Sequence, residues 1–182
     1  MSGDDAAHDG PAEDQLGSTE DLTGEEAPRR RPSAPEPLHA SAVALDQRAL
    51  LILGPSGSGK TTLALEMIAF GAELVADDRV LLAGRGALTV VAPVPRLAGL
   101  IEIRGAGILR HPYRAPVPAL CAVDLGETPS ERMPKPWLRR LGGVALPCLA
   151  GRGIPAAALL AILRVGRLPD PVHATSPAPV HV

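Results

Sequence analysis

The 182-residue sequence predicts an α/β phosphate-loop domain: a mixed, strand-rich sheet with few helices. Three observations predict it. Gly54-Pro-Ser-Gly-Ser-Gly59-Lys60-Thr61 fits G-x-x-x-x-G-K-[ST] at every position, after an apolar run and before a helical period. Lys60 to Phe70 is the one clear helical period, among many short apolar runs. Glycine and proline punctuate those runs every eight to twelve residues, as turns do between strands. One helix among many strands argues for a mixed sheet rather than regular β-α winding.

In chain order, Ser41-Ala-Val-Ala-Leu45 is a short strand, and Arg48-Ala-Leu-Leu-Ile-Leu53 is a buried strand ending at glycine. In the helix, Leu63, Met67 and Phe70 fall on one face, and Gly71 stands where a C-cap belongs. Glu73 to Val80 and Val80 to Leu82 are extended; Leu88 to Ala92, Leu100 to Ile103 and Leu120 to Asp124 are further strands. The body is therefore expected at 38–167. Residues 1–37 are rich in Asp, Glu, Pro, Gly and Ser, and they read as a disordered acidic tail; 168–182, with four prolines, reads as a second, proline-rich tail.

Composition narrows the function. One Phe, one Tyr and one Trp argue against a nucleic-acid binder that stacks bases on aromatic platforms. Cys121 and Cys148 cannot build a disulfide framework or a four-thiolate zinc site, and they read as buried apolar residues in a reducing compartment. Residues 1–36 carry a net charge of −7 and the remainder +5, a mildly basic body suited to phosphate ligands. The acidic N-terminus has no signal-peptide pattern, and the most apolar stretch, Pro155 to Val165, is too short for a bilayer; a cytoplasmic protein without membrane association is expected.

The chemistry concentrates at four places. In the phosphate loop, glycines let backbone N–H groups curl around phosphates, and the helix N-terminus adds positive potential. Lys60, one of only two lysines, would neutralise the β- and γ-phosphates, and Thr61 would offer a hydroxyl to Mg²⁺. Asp77 and Asp78 follow a strand; neighbours on an extended segment point to opposite faces and can hold different roles. Glu102 and Arg104 flank one apolar residue on a strand, so they face the same way, either pairing with each other or leaving Glu102 free to bind metal. His39 by itself reads as a surface residue, as do His8, His111, His173 and His181.

These blocks in this order, Leu38-His39-Ala40, Gly54 to Thr62, Leu74-Val-Ala-Asp-Asp78 and Ile101-Glu-Ile-Arg-Gly-Ala-Gly-Ile108, resemble the catalytic domain of HPr kinase/phosphorylase over about 38–155. The resemblance is to the short bacterial form lacking the N-terminal domain, and it implies a P-loop fold similar to phosphoenolpyruvate carboxykinase. It further implies an ATP- and Mg²⁺-dependent kinase acting on a serine of the phosphocarrier HPr, with phosphorolysis of phosphoserine by inorganic phosphate to give pyrophosphate. Nucleotide would be held by Gly54, Ser56, Gly57, Ser58, Gly59, Lys60, Thr61 and Thr62. The metal would lie near Thr61 and Glu102. Asp77 matches the family's general base, Asp78 its neighbouring acid and His39 an assisting histidine. Arg152, in Ala150-Gly-Arg-Gly153, matches an arginine on a loop that closes over the site. A homo-oligomer is left open. Two other readings stand beside this one: a nucleotide-sensing regulatory protein with little turnover, which the short segment after Gly153 favours, and a small-molecule P-loop kinase.

Overall fold

The computed structural model describes residues 36–85 and 88–169. The tails expected at 1–37 and 168–182 lie outside the described residues apart from 36–37 and 168–169. The strands are β1 (Leu38–His39), β2 (Ser41–Leu45), β3 (Arg48–Leu53), β4 (Glu73–Ala76), β5 (Arg79–Arg85), β6 (Leu88–Pro93), β7 (Leu100–Ile103), β8 (Gly107–Arg110), β9 (Val117–Asp124), β10 (Trp137–Leu141) and β11 (Val144–Ala150). Two helices accompany them, α1 (Lys60–Ala69) and α2 (Ala156–Val165).

Nine strands form one mixed sheet, seven of them in the order β1-β5-β6-β9-β3-β2-β4 and two, β10 and β11, on a branch. The sheet forks at β9, whose first residues pair with β6 and whose last pair in parallel with β11, while β10 closes a hairpin on β11. β7 and β8 make a separate two-stranded ribbon. The expected strand-rich mixed sheet is found.

β3 is apolar at successive positions because both its faces are covered. Leu50 and Ile52 pack with Val43, Cys121 and Val123 beneath Leu63 and Met67 of α1 and Leu159 and Leu163 of α2. Leu51 and Leu53 face the other way, toward Val75, Val80, Val91, Leu146 and Cys148. Each fully buried leucine or isoleucine contributes about 1.5–3 kcal/mol of transfer free energy. The β2–β3 hairpin turns on Asp46 and Gln47, both in the left-handed region (φ 48° and 63°), the geometry that matches strand twist in a two-residue loop.

The structure departs from the sequence reading in three places. The extended run expected from Glu73 to Leu82 breaks at Asp77-Asp78, where the chain turns from β4 into β5. The apolar stretch Pro155 to Val165 is a second helix, opened by Pro155 and closed by Gly166 at φ 76°, a pairing of proline and glycine that marks helix ends. The β8, β10 and β11 strands were not foreseen, because arginines and prolines interrupt their alternation. Among the described residues, no helix is long and apolar enough to cross a membrane.

Candidate active site

The phosphate loop joins β3 to α1, as its motif requires. Gly54, Gly57 and Gly59 lie at φ 140°, 80° and 93°, conformations that side chains disfavour. Space is equally restrictive at Gly54, where a Cβ would sit 2.6 Å from Ser58 Oγ. No side chain caps the N-terminus of α1. Its first-turn N–H groups are therefore left for a ligand, and they favour an anion. Ser58 Oγ is buried without a hydrogen-bond partner, one more donor turned inward in the loop.

Lys60 is buried, and its ammonium donates to the carbonyls of Gly54 and Pro55, 3.0 Å from each. Burial pushes its pKa below the ordinary lysine value; Asp78 and Asp77 oppose that shift and Arg104 adds to it. The cation is thus folded back on its own loop, within electrostatic range of both acids and of a second cation.

The two carboxylates have different surroundings. Asp77 is 4% exposed. It accepts from Ser41 Oγ at 2.6 Å and from Thr61 Oγ1 at 3.0 and 3.2 Å. β2 pairs with β4, Ala42 opposite Ala76, which brings Ser41 beside Asp77. Asp78 is left-handed (φ 63°), and its side chain is 62% exposed. Its carboxylate lies 3.4 Å from His39 Nε2 and 3.7 Å from Arg79 Nε. The pairing of β1 with β5, His39 opposite Arg79, brings that histidine to it. A side chain dismissed in isolation is thereby placed in the site by strand register.

One cavity of about 350 Å³ gathers these groups. Ser56, Gly57, Gly59, Lys60, Thr61 and Thr62 form its loop side, and His39, Ser41, Asp77 and Asp78 its acidic side. Glu102 and Arg104 reach it from the β7–β8 ribbon, both exposed and with no ion pair recorded between them. Gly54 and Ser58 stand behind the lining. Arg152 does not line the cavity. It is exposed on the loop after β11, with its N–H on the carbonyl of Glu127 at 3.0 Å.

Two contributors went unforeseen. Ser41 reads in sequence as the first residue of an apolar strand and carries no signal. Arg104 was visible through its spacing from Glu102, although only Glu102 was given a role. Among the described residues no cluster of three or more acids, histidines or cysteines forms a ready metal cage. Thr61, Asp77 and Glu102 are nevertheless hard oxygen donors around one space, which fits Mg²⁺ held mainly by phosphates, water and one or two carboxylates.

Residues 33–112 match the family described as the HPr serine kinase C-terminal domain, a range that contains every residue of this cavity. The HPr kinase/phosphorylase of Limosilactobacillus reuteri is 44% identical over 73 residues, 40% of this chain and 23% of that protein. That of Enterococcus faecalis is 52% identical over 61 residues, 33% of this chain and 20% of that protein. The matched stretch thus spans about a quarter or less of these relatives' length. In fold, the chain resembles the Hpr(Ser) kinase/phosphatase structure from Coxiella burnetii, with a TM-score of 0.58 and 22% identity over 71% of this chain and 88% of that one.

Proposed function

We propose that this chain is an ATP-dependent, Mg²⁺-requiring kinase that phosphorylates a serine of an HPr phosphocarrier protein in the cytoplasm. One observation carries the reading: a single cavity unites a phosphate loop with an acid–histidine pair and a second acid bonded to the loop's own threonine. The glycine-rich loop and the α1 N-terminus bind the nucleotide phosphates, while Lys60 leaves its two carbonyls to meet them. Bound Mg²⁺ supplies charge neutralisation on the transferring phosphoryl group. Asp77 holds the Thr61 hydroxyl, which together with Glu102 on the same cavity would supply oxygen ligands to the ion.

The resemblance gives Asp77 the role of proton acceptor. The geometry favours the exchange of the two acids. Both oxygens of Asp77 already accept from hydroxyl donors and the residue is almost fully buried, whereas the Asp78 side chain is mostly exposed, open to an incoming serine and close to His39. Asp78 therefore takes the serine proton as the new P–O bond forms. Arg104 offers a second cation to the equatorial oxygens. In the opposite direction, inorganic phosphate in the same cradle attacks phosphoserine. The serine P–O bond breaks, pyrophosphate leaves, and protonated Asp78 returns its proton to the serine oxygen.

Incubation with ATP, Mg²⁺ and an HPr protein, followed by mass spectrometry, tests the proposal; phosphoserine on HPr is expected. ATP binding without phosphoserine would favour the nucleotide-sensing reading instead.

A further inference from the structure

We propose that a second cleft, across the phosphate loop from Asp77 and Asp78, is the nucleoside subsite. It takes the ribose and base of a nucleoside triphosphate whose phosphates occupy the loop. The inference rests on the phosphate-cradle reading above and extends it to residues outside the family match, which ends at residue 112.

Topology supplies the first argument. The parallel strands β3, β9 and β11 end side by side, with Leu53 opposite Asp124 and Asp124 opposite Ala150. Ligands of parallel sheets sit in the crevice beyond the carboxyl ends of the strands. On the β2–β4 side of β3 that crevice holds the acids, Ser41 and Thr61. The β9–β11 side is where the rest of a nucleotide can leave the loop.

Continuity is the second argument. The N–H of Leu125 donates to the carbonyl of Leu53 at 2.9 Å. A Cβ built on Gly126 would lie 3.3 Å from Pro55 Cδ, so the turn after β9 abuts the mouth of the phosphate loop. From there, residues of the 127–135 loop and β10 wall a cavity of about 950 Å³. Nucleotide-sized ligands occupy pockets of roughly 300–1,000 Å³. The 350 Å³ cavity on the acid side stands at the bottom of that range and must also admit a protein serine.

The lining completes the case. Trp137 lines the cleft and is an aromatic surface of the kind a base stacks on, Thr128, Ser130 and Glu131 offer partners for ribose hydroxyls, and Lys135 and Arg140 add cations suited to a phosphorylated ligand. The wall is anchored. Buried Asp124 accepts from the N–H of Gly126 at 2.8 Å and from the guanidinium of Arg139, so Arg139 ties β10 to the strand end beside the loop.

Trp137 is the chain's one tryptophan, so the unmodified protein reports on the cleft. ATP, ADP and inorganic tripolyphosphate are titrated with Mg²⁺ while tryptophan emission is followed, and affinities are measured in parallel by calorimetry. ATP and ADP should change the emission, and tripolyphosphate should bind without doing so. Trp137→Leu should weaken ATP and ADP about 5- to 150-fold, the loss of one base–aromatic stack, and leave tripolyphosphate affinity unchanged. Trp137→Phe should restore most of it. Unchanged emission on saturation with ATP, or unchanged ATP affinity in folded Trp137→Leu, overturns the subsite. Failure of tripolyphosphate to bind, or full ATP affinity in Lys60→Ala, overturns the phosphate cradle itself and with it the premise.

Discussion

Replacing each carboxylate in turn by its amide separates chemistry from scaffolding. Asp78→Asn keeps the shape of the side chain, and asparagine tolerates the left-handed backbone (φ 63°) as well as aspartate does. The side chain is 62% exposed, so the fold should lose less than about 0.5 kcal/mol. The proposed proton acceptor is gone, and serine phosphorylation at saturating ATP should fall by about 10² to 10⁴, the usual size of a general-base contribution. Nucleotide affinity should hold. Asp77→Asn acts on a buried group that accepts from Ser41 and Thr61. Hydrogen bonds to a charged group contribute about 1.5–3 kcal/mol each. The amide keeps one acceptor oxygen, so about one such bond is lost, ~2 kcal/mol. For a body of this size that lowers the thermal midpoint by roughly 5–10 °C. The Mg²⁺ requirement should also rise, because Thr61 loses its orienting anion. The assay pairs phosphoserine formation on HPr with nucleotide calorimetry and thermal unfolding. A near-full rate in Asp78→Asn, beside a dead Asp77→Asn whose fold and ATP affinity are intact, would refute the argument from burial and return the base to Asp77.

Lys60→Ala should abolish turnover and weaken ATP strongly while the protein stays folded, since the ammonium bonds only to loop carbonyls; calorimetry and unfolding curves check both. Gly151→Ala should destabilise the fold by about 1–3 kcal/mol in denaturant unfolding, because its Cβ would lie 2.4 Å from Val123 Cγ2 and 3.1 Å from the Asp124 carbonyl. Burial raises the thiols of Cys121 to about 12 and Cys148 to about 11, so a thiol reagent at neutral pH should label both only after unfolding. The unfolded thiols ionise near 9.0, so their stabilising contribution is whole below that pH and is lost as pH rises toward 11 and 12. The thermal midpoint should fall over that alkaline range.

The phosphate loop was legible because its chemistry is local: eight consecutive residues, a strand before and a helix after. The buried strand β3 and helix α1 were legible for the same reason, since periodicity within one segment reports the face that segment buries. The sequence also made the acid pair and Glu102 visible as candidates, through short blocks resembling one family. It determined neither their directions nor their partners. That Asp77 turns inward to Ser41 and Thr61, while Asp78 turns out to His39, follows from the pairing of β2 with β4 and β1 with β5. Those pairings bring together Ser41 and Asp77, 36 positions apart, and His39 and Asp78, 39 positions apart, and no local pattern records them. The second cleft lies further still from what the chain displays. Its walls come from a loop and from strands whose alternation arginine and proline interrupt, and β11 joins the sheet by pairing in parallel with β9. Local sequence sets which segments can be strand or helix, but burial competition among all of them sets which edges meet, and the site is made where they meet.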